Sequence, residues 1–120
     1  MIRIIESLQD NPIRFLFKDS LYFPDPGMII SLNYGVAQIC TGNNPFGIIG
    51  SYPDNHNLIS VYYDTIIFET DMVESNQYSM QDKLYCSNYG KFTNKKPFED
   101  SLLLGFVKEV KENNLVIELI

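Results

Sequence analysis

The sequence predicts an all-β protein, built as a small antiparallel β-barrel or sandwich of about eight to ten short strands with little helix. Residues that favour pleated strands are abundant, since the chain has eight Tyr and eight Phe, no Trp, and many Ile, Val and Thr. Groups of turn-forming residues recur at 10–12 (DNP), 24–27 (PDPG), 42–47 (GNNPFG), 53–57 (PDNHN), 88–90 (NYG), 94–97 (NKKP) and 111–114 (KENN). Short strands separated by such turns are typical of sandwiches and barrels.

Length and charge limit the classes of function. With 120 residues, of which 45% are hydrophobic and 20% charged, the chain is expected to form a single β domain over residues 1–120. A net charge of −6 argues against nucleic acid or an anionic membrane as a partner, because phosphate binding depends on clustered Lys and Arg. No apolar run approaches the ~20 residues that span a bilayer. The start, MIRIIESLQD, does not resemble a secretory signal peptide.

Ten candidate strands lie between the turns, near residues 2–5, 13–18, 28–32, 35–41, 46–50, 58–63, 65–70, 83–87, 102–110 and 115–120. The run TIIFET shows the alternation expected of a strand, because side chains two residues apart share a face. Ile66, Phe68 and Thr70 therefore share one face, and Ile67 and Glu69 share the other.

The last two candidate strands predict a terminal hairpin, because only the short polar segment KENN separates them. Simple alternation along the first of these strands places Phe106 and Val110 on the face opposite to Val107 and Glu109.

The remaining segments are interpreted as turns and loops. Residues 71–82 are compatible with one turn or a short helix, and they are interpreted as the longest loop. Gly47 and Gly50 indicate a bulge or a tight bend, as at a barrel corner. No internal repeat is evident.

Residues that carry out catalysis are sparse. The single histidine, His56, lies in a predicted turn, where turn residues are expected for their own sake. Acids are concentrated at Asp64, Glu69, Asp71 and Glu74. Groups of carboxylates serve in glycoside hydrolysis and in calcium binding, so both functions are considered. Apolar residues interrupt these acids, so we expect a solvated strand edge that is blunted by acids. The sequence therefore predicts that the protein is not an enzyme.

The two cysteines, Cys40 and Cys86, each lie in an apolar strand-like run. They are interpreted as small buried hydrophobic residues, and a disulfide between them stays open. Further ligands for zinc are missing, so no metal and no cofactor is expected.

Aromatic residues leave a second class of function open. Tyrosine rings can stack on sugars, and a carbohydrate-binding module for host recognition is the alternative to a purely structural role. The tyrosines considered for such a surface are Tyr62, Tyr63, Tyr78, Tyr85 and Tyr89.

Several segments resemble the small β-barrel domains of tailed-bacteriophage virion proteins, chiefly head decoration (capsid cement) proteins and related tail modules. Such domains carry a strand reading D-x-L-Y-x-S, a glycine turn, K-x-T, a proline break, then x-G-x-V and a final strand. The matching residues are Asp82, Leu84, Tyr85, Ser87, Gly90, Lys91, Thr93, Pro97, Gly105 and Val107, followed by NNLVIELI. The earlier run GVAQICTGNNPFGIIGS is similar to a second segment of these families. The resemblance covers about residues 27–50 and 78–120.

The resemblance implies a structural protein of the virion, assembled in the host cytoplasm. A head decoration protein bridges capsid subunits and often forms trimers, so the expected partners are the major capsid protein or other virion proteins and further copies of this chain. A tail, neck or baseplate component is the alternative within this class. The residues expected to serve as turn and packing positions of the barrel are Gly47, Gly50, Tyr85, Gly90, Pro97 and Gly105.

Residues 1–26 lie outside the resemblance and are interpreted as an N-terminal arm or an added strand against a neighbour, with pairing inside the barrel as the alternative. The segment contains IRFLFK and the rigid FPDPG. Its apolar residues are the candidate partner interface, namely Ile13, Phe15, Phe17, Tyr22 and Phe23.

Overall fold

A computed structural model describes residues 1–9 and 11–120 and confirms an all-β protein. Those residues contain no helix. Eleven strands follow one another: β1 (Ile2–Ser7), β2 (Ile13–Leu16), β3 (Ile29–Asn33), β4 (Val36–Ile39), β5 (Gly47–Ile49), β6 (Leu58–Tyr62), β7 (Ile66–Thr70), β8 (Lys83–Cys86), β9 (Phe92–Thr93), β10 (Gly105–Val110) and β11 (Leu115–Leu119). All ten predicted strands are present with slightly different bounds, and β9 is the one that the sequence did not predict.

The strands form two antiparallel sheets. One sheet has six strands in the order β1-β7-β11-β10-β8-β9, and the other has five in the order β2-β6-β5-β3-β4. The chain completes the five-stranded sheet before it enters β7, so β2–β6 form an N-terminal half and β7–β11 form a C-terminal half. Strand β1 is additional and lies beside β7.

In each half the chain that follows the first strand reaches the third strand. Phe17, which follows β2, forms a parallel bridge with Ala37 on β4, and Val73, which follows β7, forms a parallel bridge with Phe92 on β9. A backbone hydrogen bond of 2.9 Å accompanies each bridge, donated by the residue after Phe17 in one half and after Val73 in the other. These contacts close the five strands of each half, and closure is one way in which β proteins remove open edges. Strand β1 is left as an outer strand of the six-stranded sheet.

The two halves have the same topology, so the expectation of no internal repeat is wrong. In each half the first strand pairs with the fifth, the fifth with the fourth, the fourth with the second and the second with the third. The first strand then continues to a parallel bridge with the third. Two short sequence matches accompany the common topology, since NYG occurs at 33–35 and 88–90 and a Pro-Phe pair occurs at 45–46 and 97–98.

The pairing registers match between the halves. Ile30 pairs with Gly47 in the N-terminal half. Leu84 pairs with Gly105 in the C-terminal half. A glycine is needed at both places, because a Cβ atom on Gly47 or Gly105 would overlap the backbone carbonyl oxygen of the neighbouring strand. Neither glycine marks a bulge, since the register shifts in the described residues lie within β1 and β10.

Two hydrophobic cores follow from this arrangement. The core of the N-terminal half contains Phe17, Met28, Ile30, Ala37, Ile39, Ile49, Ile59 and Val61. The core of the C-terminal half contains Ile66, Phe68, Leu84, Cys86, Phe92, Val107, Leu115, Ile117 and Leu119. Ile29, Cys40 and Ile48 join the second core from the N-terminal half, so the two halves pack directly against each other.

The N-terminal segment pairs within the chain. Strand β1 lies antiparallel to β7, and β2 lies antiparallel to β6. Residues 2–7 and 13–16 are therefore parts of the two sheets in this structure, which is the arrangement that the sequence left as the alternative to an arm.

The terminal hairpin contains a β-bulge that corrects the predicted faces. Strand β10 has an extra residue between Val107 and Glu109. A shift of one residue exchanges the two faces of a strand. After the bulge, Val110 pairs with Leu115, a residue of the core, whereas Glu109 lies on the same face as Phe106. The predicted grouping of Phe106 with Val110 is therefore wrong.

The other predicted turn and packing residues lie at close contacts. Gly90 has a φ of +75°, and a Cβ atom there would meet the side chain of Ile39. Gly50 lies against the ring of Tyr62. Tyr85 is buried, with the Lys96 ammonium 5.4 Å from its ring centroid. Pro97 was also predicted to be a turn or packing position. It is half-buried and belongs to the Pro-Phe pair that occurs in both halves.

Candidate functional site

The candidate site is the docking loop, defined as residues 18–26, which connects the end of β2 to β3. Asp19 holds this loop in one conformation. Its Oδ1 accepts hydrogen bonds from the backbone N–H groups of Leu21 and Tyr22, at 2.8 and 3.2 Å. Its Oδ2 accepts a hydrogen bond of 2.9 Å from the backbone N–H of Ile39 on β4. One carboxylate therefore forms the turn of the loop and also attaches it to the sheet.

Two prolines stiffen the far end of the docking loop. Pro24 and Pro26 are both buried, and Gly27 follows with a φ of +96°. The backbone N–H of Gly27 donates to the carbonyl oxygen of Ile49 at 2.8 Å. Because proline fixes φ, this end of the loop has little conformational freedom to lose when a partner binds.

The docking loop presents large apolar side chains to solvent. Leu21 is 81% exposed and Phe23 is 69% exposed. The ring of Phe23 lies 6.3 Å from the ring of Tyr52, which is itself exposed and comes from the connection between β5 and β6. Leu21, Phe23 and Tyr52 form the docking surface. Exposed apolar side chains on a rigid support are the kind of surface that anchors a protein partner.

The structure separates the five predicted interface residues. Phe23 is on the docking surface, and Tyr22 is half-buried against the core of the N-terminal half. Ile13 is partly exposed on β2, and Phe15 packs against the same core. The prediction that Phe17 belongs to a partner interface is wrong. Phe17 closes the N-terminal sheet and is buried, so it cannot contact a partner.

A second apolar surface lies between the halves. A cleft of about 240 Å³ is lined by residues of both halves, including Phe46, Tyr63, Leu102, Leu104 and Ile120. The Phe46 and Tyr63 rings stack with centroids 5.4 Å apart. None of the side chains that line the cleft is charged, so these side chains offer mainly apolar contacts.

Glu69 is the centre of a polar cluster rather than part of a solvated strand edge. Strand β7 lies between β1 and β11, so Glu69 is not on an edge strand. Its Oε1 accepts hydrogen bonds from Arg3 Nη2 at 2.7 Å and Lys111 Nζ at 3.1 Å. Its Oε2 accepts a hydrogen bond of 2.7 Å from Asn114 Nδ2. The cluster joins β1, β7 and the terminal hairpin, and these donors, Arg3 first, lower the pKa of Glu69 to about 2.

Glu69→Gln is expected to lower the urea midpoint of unfolding at pH 7, because the variant loses the charged partner of Arg3 and Lys111. The pKa of Glu69 falls from 4.5 to about 2 on folding, so the unfolded chain binds the proton more readily between these values. The difference in urea midpoint between wild type and variant is thus complete above about pH 4.5 and disappears as the pH falls towards 2. Urea titrations of both proteins from pH 7 to pH 2 measure this difference.

Glu118→Gln is the control, because Glu118 is half-buried and its nearest cation, Lys108 Nζ, lies 3.6 Å away. This variant is expected to change the midpoint less than Glu69→Gln. Equal midpoints for Glu69→Gln and wild type at pH 7 would show that the cluster does not stabilise the fold.

The other residues considered for chemistry lie apart. Asp64 precedes β7, and its Oδ1 accepts the backbone N–H of Thr65 at 2.7 Å. His56 is exposed in the turn before β6. Within residues 1–9 and 11–120, no three His, Cys, Asp or Glu side chains are grouped so that they could hold a metal ion. In the same ranges no helix has the length and apolarity to cross a membrane.

The tyrosines proposed for sugar stacking do not share one surface. Tyr85 is buried, and Tyr62 and Tyr78 pack against the core of the C-terminal half. Tyr78 borders a polar groove of about 630 Å³ between residues 71–79 and 110–115. Its hydroxyl donates to the carbonyl oxygen of Glu74 at 2.8 Å, and burial raises the pKa of Tyr78 to about 12. The ring of Tyr78 therefore supports the fold, and the groove has no free aromatic platform.

Comparisons with known proteins found no match among protein-family models, curated proteins or solved structures.

Sequence reasoning missed Asp19, Leu21 and Tyr52. The sequence did contain one signal for the loop, namely Asp19 followed by Pro24 and Pro26. Aspartate and proline at such close spacing are typical of a fixed turn. No local signal identifies Tyr52, which reaches Phe23 only through the pairing of the N-terminal sheet.

Proposed function

We propose that this chain is a non-enzymatic structural protein of a bacteriophage virion, a head decoration protein that attaches to capsid subunits through the docking surface. The observation that carries the attachment is the pair Leu21 and Phe23, which a fixed loop holds in solvent. The resemblance of residues 27–50 and 78–120 to decoration and tail domains supports the placement in the virion.

The geometry suits a protein that works by binding. Exposing two large apolar side chains has no benefit for the isolated chain, because burial of apolar area is what stabilises folded proteins. A partner pocket that buries Leu21 and Phe23 would recover that free energy. The loop is already ordered by Asp19, so little conformational entropy opposes binding.

Mass spectrometry of purified particles tests the placement. We expect the protein in intact virions and in heads separated from tails. Its presence in tails alone would favour the tail, neck or baseplate alternative, which the same resemblance supports. Its absence from all particles would contradict a virion role altogether.

Asp19→Ala is expected to weaken attachment to capsids by roughly tenfold while it lowers the free energy of unfolding by about 1–2 kcal/mol. The variant leaves the N–H groups of Leu21, Tyr22 and Ile39 without their acceptor. The loop then becomes mobile, and ordering it again on binding costs affinity.

Asp25→Ala is the matched control in the same loop, since no hydrogen bond to the Asp25 side chain is present in the described residues. Co-sedimentation with capsids measures the attachment of both variants, and thermal melts measure their stability. If Asp19→Ala binds as well as Asp25→Ala, the conformation of the loop does not matter for attachment.

A further inference from the structure

Two thiols meet where the halves pack together. Cys40 follows β4 in the N-terminal half, and Cys86 ends β8 in the C-terminal half. Both are free and fully buried. Both also belong to the core of the C-terminal half, which Cys40 joins from the other side. The two residues are therefore a contact between the halves rather than two unrelated apolar positions.

The side chain of Cys86 approaches the backbone of Cys40. The Sγ atom of Cys86 lies 3.7 Å from the carbonyl oxygen of Cys40. The neighbouring Cys40 thiol, together with burial, raises the pKa of Cys86, so the Cys86 thiol stays protonated while the halves are packed.

Backbone contacts fix this approach. The N–H of Cys40 donates to the carbonyl oxygen of Ile29 at 2.9 Å, and the N–H of Ile29 donates to the carbonyl oxygen of Gly90 at 2.8 Å. Gly90 lies on the loop that leaves β8. A continuous path of hydrogen bonds therefore connects the segments that carry the two cysteines. The packing of the halves therefore holds these two segments next to each other.

We propose that Cys40 and Cys86 are a latent disulfide site that joins the two halves when the chain meets a small disulfide oxidant such as oxidised glutathione. The inference stands apart from the proposed function, because it depends only on the contact between the thiols.

The chemistry is two successive thiol–disulfide exchanges. One of the two cysteines loses its proton to solvent, and its thiolate attacks one sulfur of oxidised glutathione, which forms a mixed disulfide and releases one glutathione thiolate. The other cysteine then loses its proton, attacks the protein sulfur of that mixed disulfide and releases the second glutathione thiolate. The protein loses two hydrogen atoms, and one oxidised glutathione becomes two reduced glutathione molecules. Because the thiols are buried, the exchange occurs during folding or when the halves separate transiently.

The bond would stabilise the contact between the halves. It would close a loop between residues that are 46 positions apart. Crosslinks over loops of this size restrict the unfolded chain enough to raise Tm by roughly 10 °C in a domain of this length.

Refolding in a glutathione redox buffer tests the proposal. The denatured, reduced protein is diluted into buffers with increasing ratios of oxidised to reduced glutathione, and the products are measured by intact mass and peptide mapping. We expect a monomer two mass units lighter, one crosslinked peptide pair containing Cys40 and Cys86, and a Tm that is higher by roughly 10 °C and returns to its reduced value with a phosphine reductant.

The variants Cys40→Ala and Cys86→Ala control for other reactions, and neither is expected to lose the two mass units. Protein that refolds in an excess of oxidised glutathione and keeps both thiols free would overturn the proposal. So would glutathione adducts or intermolecular dimers in place of the internal bond, or an internal bond that lowers Tm.

Discussion

Phe92→Ala is expected to lower the free energy of unfolding by about 4 kcal/mol, a large part of the stability of an ordinary domain. Phe92 is fully buried, and its ring centroid lies 5.7 Å from that of Phe68. It is also the residue whose backbone bridges to Val73 and closes the C-terminal sheet. Its removal leaves a cavity where β9 meets the segment that follows β7.

Urea unfolding followed by fluorescence and circular dichroism measures this change. Tyr89→Ala is the matched control, because Tyr89 lies three residues earlier in the chain and is 57% exposed. We expect the control to change the free energy of unfolding by less than about 0.5 kcal/mol. Equal effects of the two variants would show that Phe92 is not a core residue.

Gly105→Ala is expected to lower the free energy of unfolding by about 3 kcal/mol, although it adds only one methyl group. The new Cβ atom would overlap the backbone carbonyl of Glu118 on the neighbouring strand β11. A backbone atom within a sheet cannot move aside without disturbing the ladder, so the strands must separate locally. Thermal and urea unfolding give the magnitude.

Gly35→Asn is the control for this glycine. Gly35 has a φ of +78° in the turn between β3 and β4, and no atom lies within 4 Å of the position a Cβ would occupy. Asparagine tolerates positive φ, so the variant is expected to stay within about 1 kcal/mol of wild type. A Gly105→Ala protein as stable as Gly35→Asn would contradict the close strand contact.

The strands were predictable because their signals are local. The alternation in TIIFET, for example, predicts that Phe68 and Ile67 lie on opposite faces, and in the structure Phe68 is in the core whereas Ile67 is half-buried. The bulge in β10 was not predictable, because a single extra residue changes the faces without changing the hydrophobic pattern. Strand β9 was missed because it has only two residues and its existence depends on distant partners.

The common topology of the halves depends on pairing that no short window reveals. The repeated NYG and the two Pro-Phe pairs were visible, but the spacing between them differs in the two halves. The connection that follows Pro97 is longer than the one that follows Pro45, so a search for a fixed period would fail. The common strand order becomes evident only when the pairs are known.

The sequence predicted the candidate site only in part, because the exposure of a side chain depends on distant parts of the chain. The prolines indicated a rigid segment beside Phe23, and the structure places Phe23 on the surface of that segment. Phe17 has the same local character, but its bridge to Ala37 buries it. Exposure of an apolar residue depends on what the rest of the chain covers, and local sequence does not contain that information.

The most direct test of the account is the affinity for capsids of a protein that lacks the two apolar anchors. The double variant Leu21→Ser, Phe23→Ser is compared with wild type and with Tyr34→Ser, which removes a 99% exposed side chain outside the docking loop. The proposed partner supplies the test particles, which are phage capsids that lack the protein, and these are titrated with each variant. All three proteins should melt within about 3 °C of one another, because the substituted residues are exposed.

We predict that wild type and Tyr34→Ser bind these capsids with equal affinity and that the double variant binds roughly 100-fold more weakly, a loss of about 2.7 kcal/mol. Equal binding by the double variant and wild type, or no binding by wild type, would contradict attachment through the docking surface.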